Sequence, residues 1–197
     1  SDLKSYYASA SYYLKNTSID FINFSGKEKI YQSWWGTPES RLLNDIEGMN
    51  QVISNNGYTD FQTQNLLDAG RTFNYYTYDN ETDNYQQDHY QAHINHDFSR
   101  KTNLHLALHY TFGRGYYEQY KEDDNLKNYY EDEEDKTTDL VRRRWLKNNF
   151  YGITYSFLKE FDNSILNIGG AINEYDGDHF GEIISSNSVN MLFEKPY

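Results

Sequence analysis

Between Asp88 and Phe98 the chain reads DHYQAHINHDF, which sets His89, His93 and His96 beside Asp88 and Asp97 within eleven positions. Imidazoles and carboxylates are the side chains of metal centres and of proton-transfer sites. On a helix, His89 and His93 would share one face. On a strand, at about 3.3 Å per residue, they stand roughly 13 Å apart and cannot share an ion. The run alternates with period two, Tyr90, Ala92, Ile94, His96 and Phe98 against Gln91, His93, Asn95 and Asp97, and that is the pattern of a strand. Pairing with the next strand leaves one arrangement for a metal, His93 opposite His109. It lacks a third protein ligand, so the favoured reading is a polar face of hydrogen-bonded side chains, with no metal and no cofactor.

Other stretches carry less chemistry. YDGDHF, Tyr175 to Phe180, places Asp176 and His179 around a glycine; it lacks the further ligands of a calcium loop and reads as a turn or a ligand-facing loop. EDEED, Glu131 to Asp135, reads as a solvated loop tip. SWWGTPE and RTFNYYTYDN bring Trp34, Trp35, Arg71, Tyr75, Tyr76 and Tyr78 to the two ends of one long connection, where they are candidates for ligand contact. Neither a nucleophile elbow, a phosphate loop nor a zinc motif occurs, and no serine, histidine and acid are singled out by spacing, so no catalytic residue is assigned and no enzyme is expected.

The elements that must position these residues are strands. Leu104, Leu106, Leu108, Tyr110 and Phe112 alternate with polar partners after SRKTN, which predicts a hairpin pairing Ile94 with Leu108, His93 with His109 and Asp97 with His105. Tyr151, Ile153, Tyr155 and Phe157 face Leu166, Ile168, Gly170 and Ile172 across a two-residue turn at Asp162-Asn163. A third hairpin is predicted around Asn16-Thr17, with Leu14 against Ile19 and Tyr12 against Phe21. Six strands in three hairpins result, joined by long connections from near Gly26 to Gln87 and from Gly113 to about Asn148. The first connection predicts a helix capped by Thr37 ahead of Pro38 and Glu39, carrying Leu42 to Ile53 and stopping at Asn56-Gly57. A second helix, with Thr59 and Gln62 as capping box, ends near Gly70.

Composition narrows the setting. Tyrosine occurs 21 times and only 37% of residues are hydrophobic, which suits surfaces that meet apolar matter and water at once. A membrane β-barrel with aromatic girdles fits, and so does a secreted β-sandwich that binds carbohydrate. With no cysteine, disulfides and thiolate metal sites are excluded. A net charge of -12 argues against nucleic acid as a partner. No apolar run reaches the roughly 18 residues of a spanning helix, whereas a spanning strand needs only about 9–11 alternating ones. The first residues, SDLKSYYASASYYLK, lack the pattern of a signal peptide. Tight turns at one end and long connections at the other favour the barrel. In it, the even positions of the second hairpin face lipid, and His89, Gln91, His93, Asn95, Asp97, His105 and His109 face the lumen. Arg142, Arg143 and Arg144, in VRRRW, are candidates for lipopolysaccharide phosphates where a strand re-enters the outer leaflet.

The runs TSIDFINFSGKEKIYQSWWGTPESRL, RTFNYYTYDNETDNYQQDHYQAHI, GRGYYEQYKEDDNL, TTDLVRRRWLKNNFYGITYSF and IGGAINEYDGDHFGEII resemble consecutive barrel segments of TonB-dependent outer-membrane receptors of the Bacteroidetes type. The resemblance covers roughly Leu3 to Ile184. It implies an all-β, antiparallel transmembrane barrel in the bacterial outer membrane, energised by the TonB complex and importing a ferric siderophore, cobalamin, haem or glycan. The chain departs from that pattern in lacking a plug, a TonB box and most strands of a 22-stranded barrel. The expectation is therefore an internal barrel segment over residues 1–184, a helical extracellular loop at about 37–70, and a tail, 185–197, that does not continue the alternation. Outer-membrane lipid, lipopolysaccharide and a small-molecule or glycan ligand are the expected partners, with TonB reached through a plug outside this chain.

Overall fold

The computed structural model describes residues 1–130 and 136–187 and the backbone of 193–196; the acidic run Glu131 to Asp135 lies outside the described residues. Two compact units emerge, Ser1–Ile30 with Asp83–Tyr197, and Tyr31–Thr82. The first is built on strands β1 (Asp2–Tyr13), β2 (Thr17–Tyr31), β3 (Thr82–Ser99), β4 (Thr102–Asn125), β5 (Thr137–Glu160), β6 (Ile165–Ser186) and the short β7 (Phe193–Pro196). They form one antiparallel sheet in sequence order, β1 to β7. β7 thus adds a strand within the tail, whose structure the alternation did not indicate, and β6 runs past Ile184.

The turn at Asp162-Asn163 has the expected register, with Phe157 opposite Ile168 and the Phe161 amide bonded to the Ser164 carbonyl at 2.8 Å. The other two hairpins are tighter than expected. Ile94 faces Leu106, His93 faces Ala107 and Asn95 faces His105, because the chain reverses at Arg100-Lys101 with an irregularity between Asp97 and Ser99. Likewise Tyr12 faces Ile19 and Ala10 faces Phe21, with the turn at Lys15-Asn16 closed by the Leu14 amide on the Thr17 carbonyl. Each correction shifts the pairing by two residues. An even shift leaves every side chain on its expected face.

The strands also outrun the alternation that announced them. Most of the connection expected from Gly113 to Asn148 is β4 and β5, and YDGDHF lies inside β6 instead of forming a turn. Beyond Phe112 apolar and polar residues occupy both parities, so period two fades although backbone pairing continues.

The second unit is helical: α1 (Glu39–Leu42), α2 (Ile46–Asn56) and α3 (Asp60–Asp68), then a short 3-10 turn. One helix was expected where α1 and α2 stand. Asn44, in the left-handed region at φ 57°, breaks the path, and Asp45 caps α2 by accepting the Gly48 N–H. Thr37 caps nothing; its hydroxyl donates to the Phe73 carbonyl at 3.3 Å. Gly57, at φ 60°, ends α2, and Thr59 with Gln62 forms the expected capping box on α3. Arg41 donates to the Leu66 and Leu67 carbonyls near the end of α3, satisfying groups the helix leaves open. Met49, Leu66 and Phe73 make the core. Among the described residues no helix is long and apolar enough to cross a membrane, which says nothing of strands.

Candidate functional site: a two-faced sheet with a polar hollow

Strand alternation sorts the sheet into two unlike faces. One carries Tyr12 and Phe21, then Tyr90, Ala92, Ile94 and Phe98 on β3, Leu104, Leu106, Leu108 and Tyr110 on β4, Tyr151, Ile153, Tyr155 and Phe157 on β5, and Ile168 and Ile172 on β6. Many are open to solvent, Phe98 at 58% and Ile172 at 72%, and an exposed apolar face of this kind marks a surface that meets a partner or lipid. Tyr90, Tyr110 and Tyr151 stand opposite one another as a single row across three strands. From Tyr90 to Phe98 the band covers roughly 27 Å of strand.

The opposite face is polar, and its histidines are bonded to neighbours. His89 meets Gln87 at 3.1 Å and Thr111 at 3.0 Å, His93 meets Gln91 at 3.0 Å, His105 meets Asn95 at 2.7 Å and His109 meets Asn173 at 2.9 Å. The expected His93 and His109 pair does not form: His109 faces Gln91. No metal-competent cluster exists among the described residues. His96 lies on the apolar face, where its ring meets Phe98 and its Nδ1 meets Thr17 Oγ1 at 2.8 Å.

Towards the long connections the polar face opens into a hollow. Tyr85, Gly115, Leu146 and His179 form one cross-strand row, and Asp83, Tyr117, Arg144 and Gly181 form a parallel course beside it. All of these but Gly181, together with Glu28, line a cleft of about 430 Å³. Glycine admits the Tyr85 side chain beside the hollow: a Cβ on Gly115 would lie 2.8 Å from the Tyr85 ring, and one on Gly113 would strike the Tyr85 hydroxyl and Asn148 Oδ1. Asn148 Oδ1 is buried without a donor. Asp83 holds its proton more tightly than an ordinary aspartate, chiefly through burial and then through the nearby Glu28 charge.

No known protein family, curated protein or solved structure matches the chain. The site therefore rests on its own geometry. Of the residues expected to contact ligand, Trp34, Trp35, Tyr75 and Tyr76 come together in the helical unit, with Trp34 edge-on to Tyr76 at 5.8 Å, Trp35 near Tyr75 at 6.4 Å, and Tyr75 against Tyr58 and Tyr76. Both tryptophans are exposed while Tyr76 is buried. Arg71 belongs to the 3-10 turn and Tyr78 offers its carbonyl to the Tyr31 hydroxyl. Asp176 and His179 are separated, for their positions on β6 are of opposite parity; only His179 lines the hollow.

The three arginines of VRRRW also alternate. Arg142 and Arg144 stand on the polar face. Arg142 reaches Gln119 and the Tyr129 hydroxyl, and Asp124 at 3.9 Å. Burial, followed by its hydrogen bond to Asp124, pushes the Tyr129 phenol up to about 12. Arg143 shares the apolar face and pairs at 2.9 Å with Glu118, a carboxylate 1% exposed, while lying over the Tyr116 ring. Beside it Tyr116, Trp145 and Phe180 stack in a row, and Trp145 donates to Glu182 at 3.0 Å. Sequence reasoning missed Asp83, Tyr85, Tyr117 and Glu118. The one available sign was GRGYY, two glycines at a spacing of two followed by tyrosines.

Proposed function

We propose that the chain is part of the wall of a bacterial outer-membrane receptor barrel of the TonB-dependent type, which captures and imports a scarce nutrient. The observation that carries this reading is the two-faced sheet: an exposed apolar band edged by a tyrosine row on one side and a bonded polar face on the other. At a strand tilt of about 40°, the 27 Å of apolar strand projects to roughly 20 Å, close to the ~25 Å band of outer-membrane barrels. Two-residue turns end the hairpins on one side and long connections leave the other, as periplasmic turns and extracellular loops do.

The edges support the same reading. Every residue of β1 is exposed, and among the described residues β6 meets β7 from Phe180 to Ile183 alone. Open edges of this length invite aggregation in water and are removed when a barrel closes through further strands. The alternative, a secreted sandwich that binds carbohydrate, needs a second sheet over the apolar face, and the described residues supply one sheet. In the barrel reading the exposed aromatics of the helical loop capture ligand, TonB acts through a plug, and the apolar face meets lipid and lipopolysaccharide.

Membrane fractionation with heat-modifiable gel mobility tests the proposal. Recovery in the outer membrane, with a folded band that migrates apart from the boiled one, is expected. A protein recovered soluble and monomeric without detergent would sink it.

A further inference from the structure

The hollow on the polar face offers both hydrogen-bond donors and acceptors. Asp83 and Glu28 accept, Arg144 and His179 donate, and the tyrosines 85 and 117 do either while presenting ring surface. We propose that this hollow binds a neutral, hydroxyl-rich ring, that is, a sugar unit. The inference rests on the reading that the polar face lines a passage, and it selects among the nutrients such a passage could admit.

Charge makes the selection. An anionic ferric chelate or a haem carboxylate calls for surplus arginine or lysine in its contact surface. Here two carboxylates stand against Arg144, the one residue of fixed positive charge among the lining residues. A sugar hydroxyl, in contrast, donates and accepts at once. It can give its proton to Asp83 or Glu28 and accept from Arg144 or His179, while the apolar face of the ring lies on a tyrosine. Gly115 lets the Tyr85 ring lie flat against the sheet, and the hollow of about 430 Å³ between that ring and Arg144 is large enough for a single sugar ring. Asn148 Oδ1, buried on a residue 7% exposed and lacking a donor beside the Tyr85 hydroxyl, adds an acceptor one row away.

The test is calorimetric titration of the full-length protein in detergent. The probes are neutral cello-, malto-, manno- and xylo-oligosaccharides and an anionic ferric catecholate complex. At least one neutral oligosaccharide is expected to bind, with Asp83→Asn and Tyr117→Ala each weakening it tenfold or more while heat-modifiable mobility persists. Binding of the ferric complex alone, binding of no sugar, or sugar binding untouched by both substitutions overturns the proposal. A wild-type protein without heat-modifiable mobility that still binds sugar through Asp83 and Tyr117 overturns the barrel reading and leaves the sugar site standing.

Discussion

Glu118 is a buried carboxylate whose charge is met by Arg143. Removing one member of such a pair strands the other in a poorly solvated place, at a cost of about 3–5 kcal/mol. Arg143→Ala should therefore lower the denaturant midpoint by that equivalent, and adding Glu118→Gln should restore most of it. Equal losses in the single and double variants would show that the pair is not what matters. Asp83 supplies a pH dependence. Its raised pKa means that the carboxylate gains its proton at a higher pH than a free aspartate does. Any ligand that donates hydroxyls to it loses affinity as pH falls through that raised value, in a hollow also faced by Glu28, His179 and Arg144. Titration calorimetry of sugar binding between pH 7 and about 4 should show this decline, and Asp83→Asn should flatten it. Tyr129 works in the alkaline range. With its folded pKa near 12 against the ordinary 10, its contribution to stability is complete below pH 10 and is lost as pH rises through 12. Tyr129→Phe should unfold with a shallower alkaline slope in that window.

At the scale of elements, the sequence disclosed which way side chains face better than it disclosed where chains turn. Period-two alternation assigned the faces of β3 and β4, and a register slip of two residues left those faces intact. Turn position escaped because SRKTN holds no Asn-Gly or Asp-Gly signal to mark the reversal. The upper halves of β4 and β5 were illegible for another reason: apolar and polar residues there share both parities, and polar ones such as Glu118 and Thr138 are among the buried ones, so hydrophobic period two does not mark the strand. The capping box at Thr59 was legible because two side chains at fixed spacing determine it, whereas the break at Asn44 depends on one backbone torsion. The register itself can be tested in a chain with no native cysteine. Ile94→Cys with Leu106→Cys should cross-link under mild oxidation, since opposed residues lie about 4.5–5.5 Å apart. Ile94→Cys with Leu108→Cys should not, and the reverse result would restore the looser hairpin.

For the whole molecule the question is what covers the apolar band. If lipid does, an arginine at Ile94, Leu106 or Leu108 should cost about 2–4 kcal/mol near the bilayer midplane and reduce the amount of heat-modifiable protein in the membrane. The same residue at Gln91 or Asn95 should be tolerated. Tolerance at the first three together with intolerance at the last two would turn the sheet inside out. Hollow and band then divide labour, one face meeting what passes and the other what surrounds.

The helical unit leaves β2 after Tyr31 and rejoins at Thr82, and just beyond Tyr31 the Gln32 amide bonds to the Glu81 carbonyl at 2.8 Å while Asn74 bonds to the Gln32 carbonyl. Its two ends are therefore tied together like the stem of a cassette. Such a module can be exchanged for another of different length or chemistry without redrawing the strands on either side. Under the proposed function, a unit grafted at this stem would change what is captured while leaving the strands as they are.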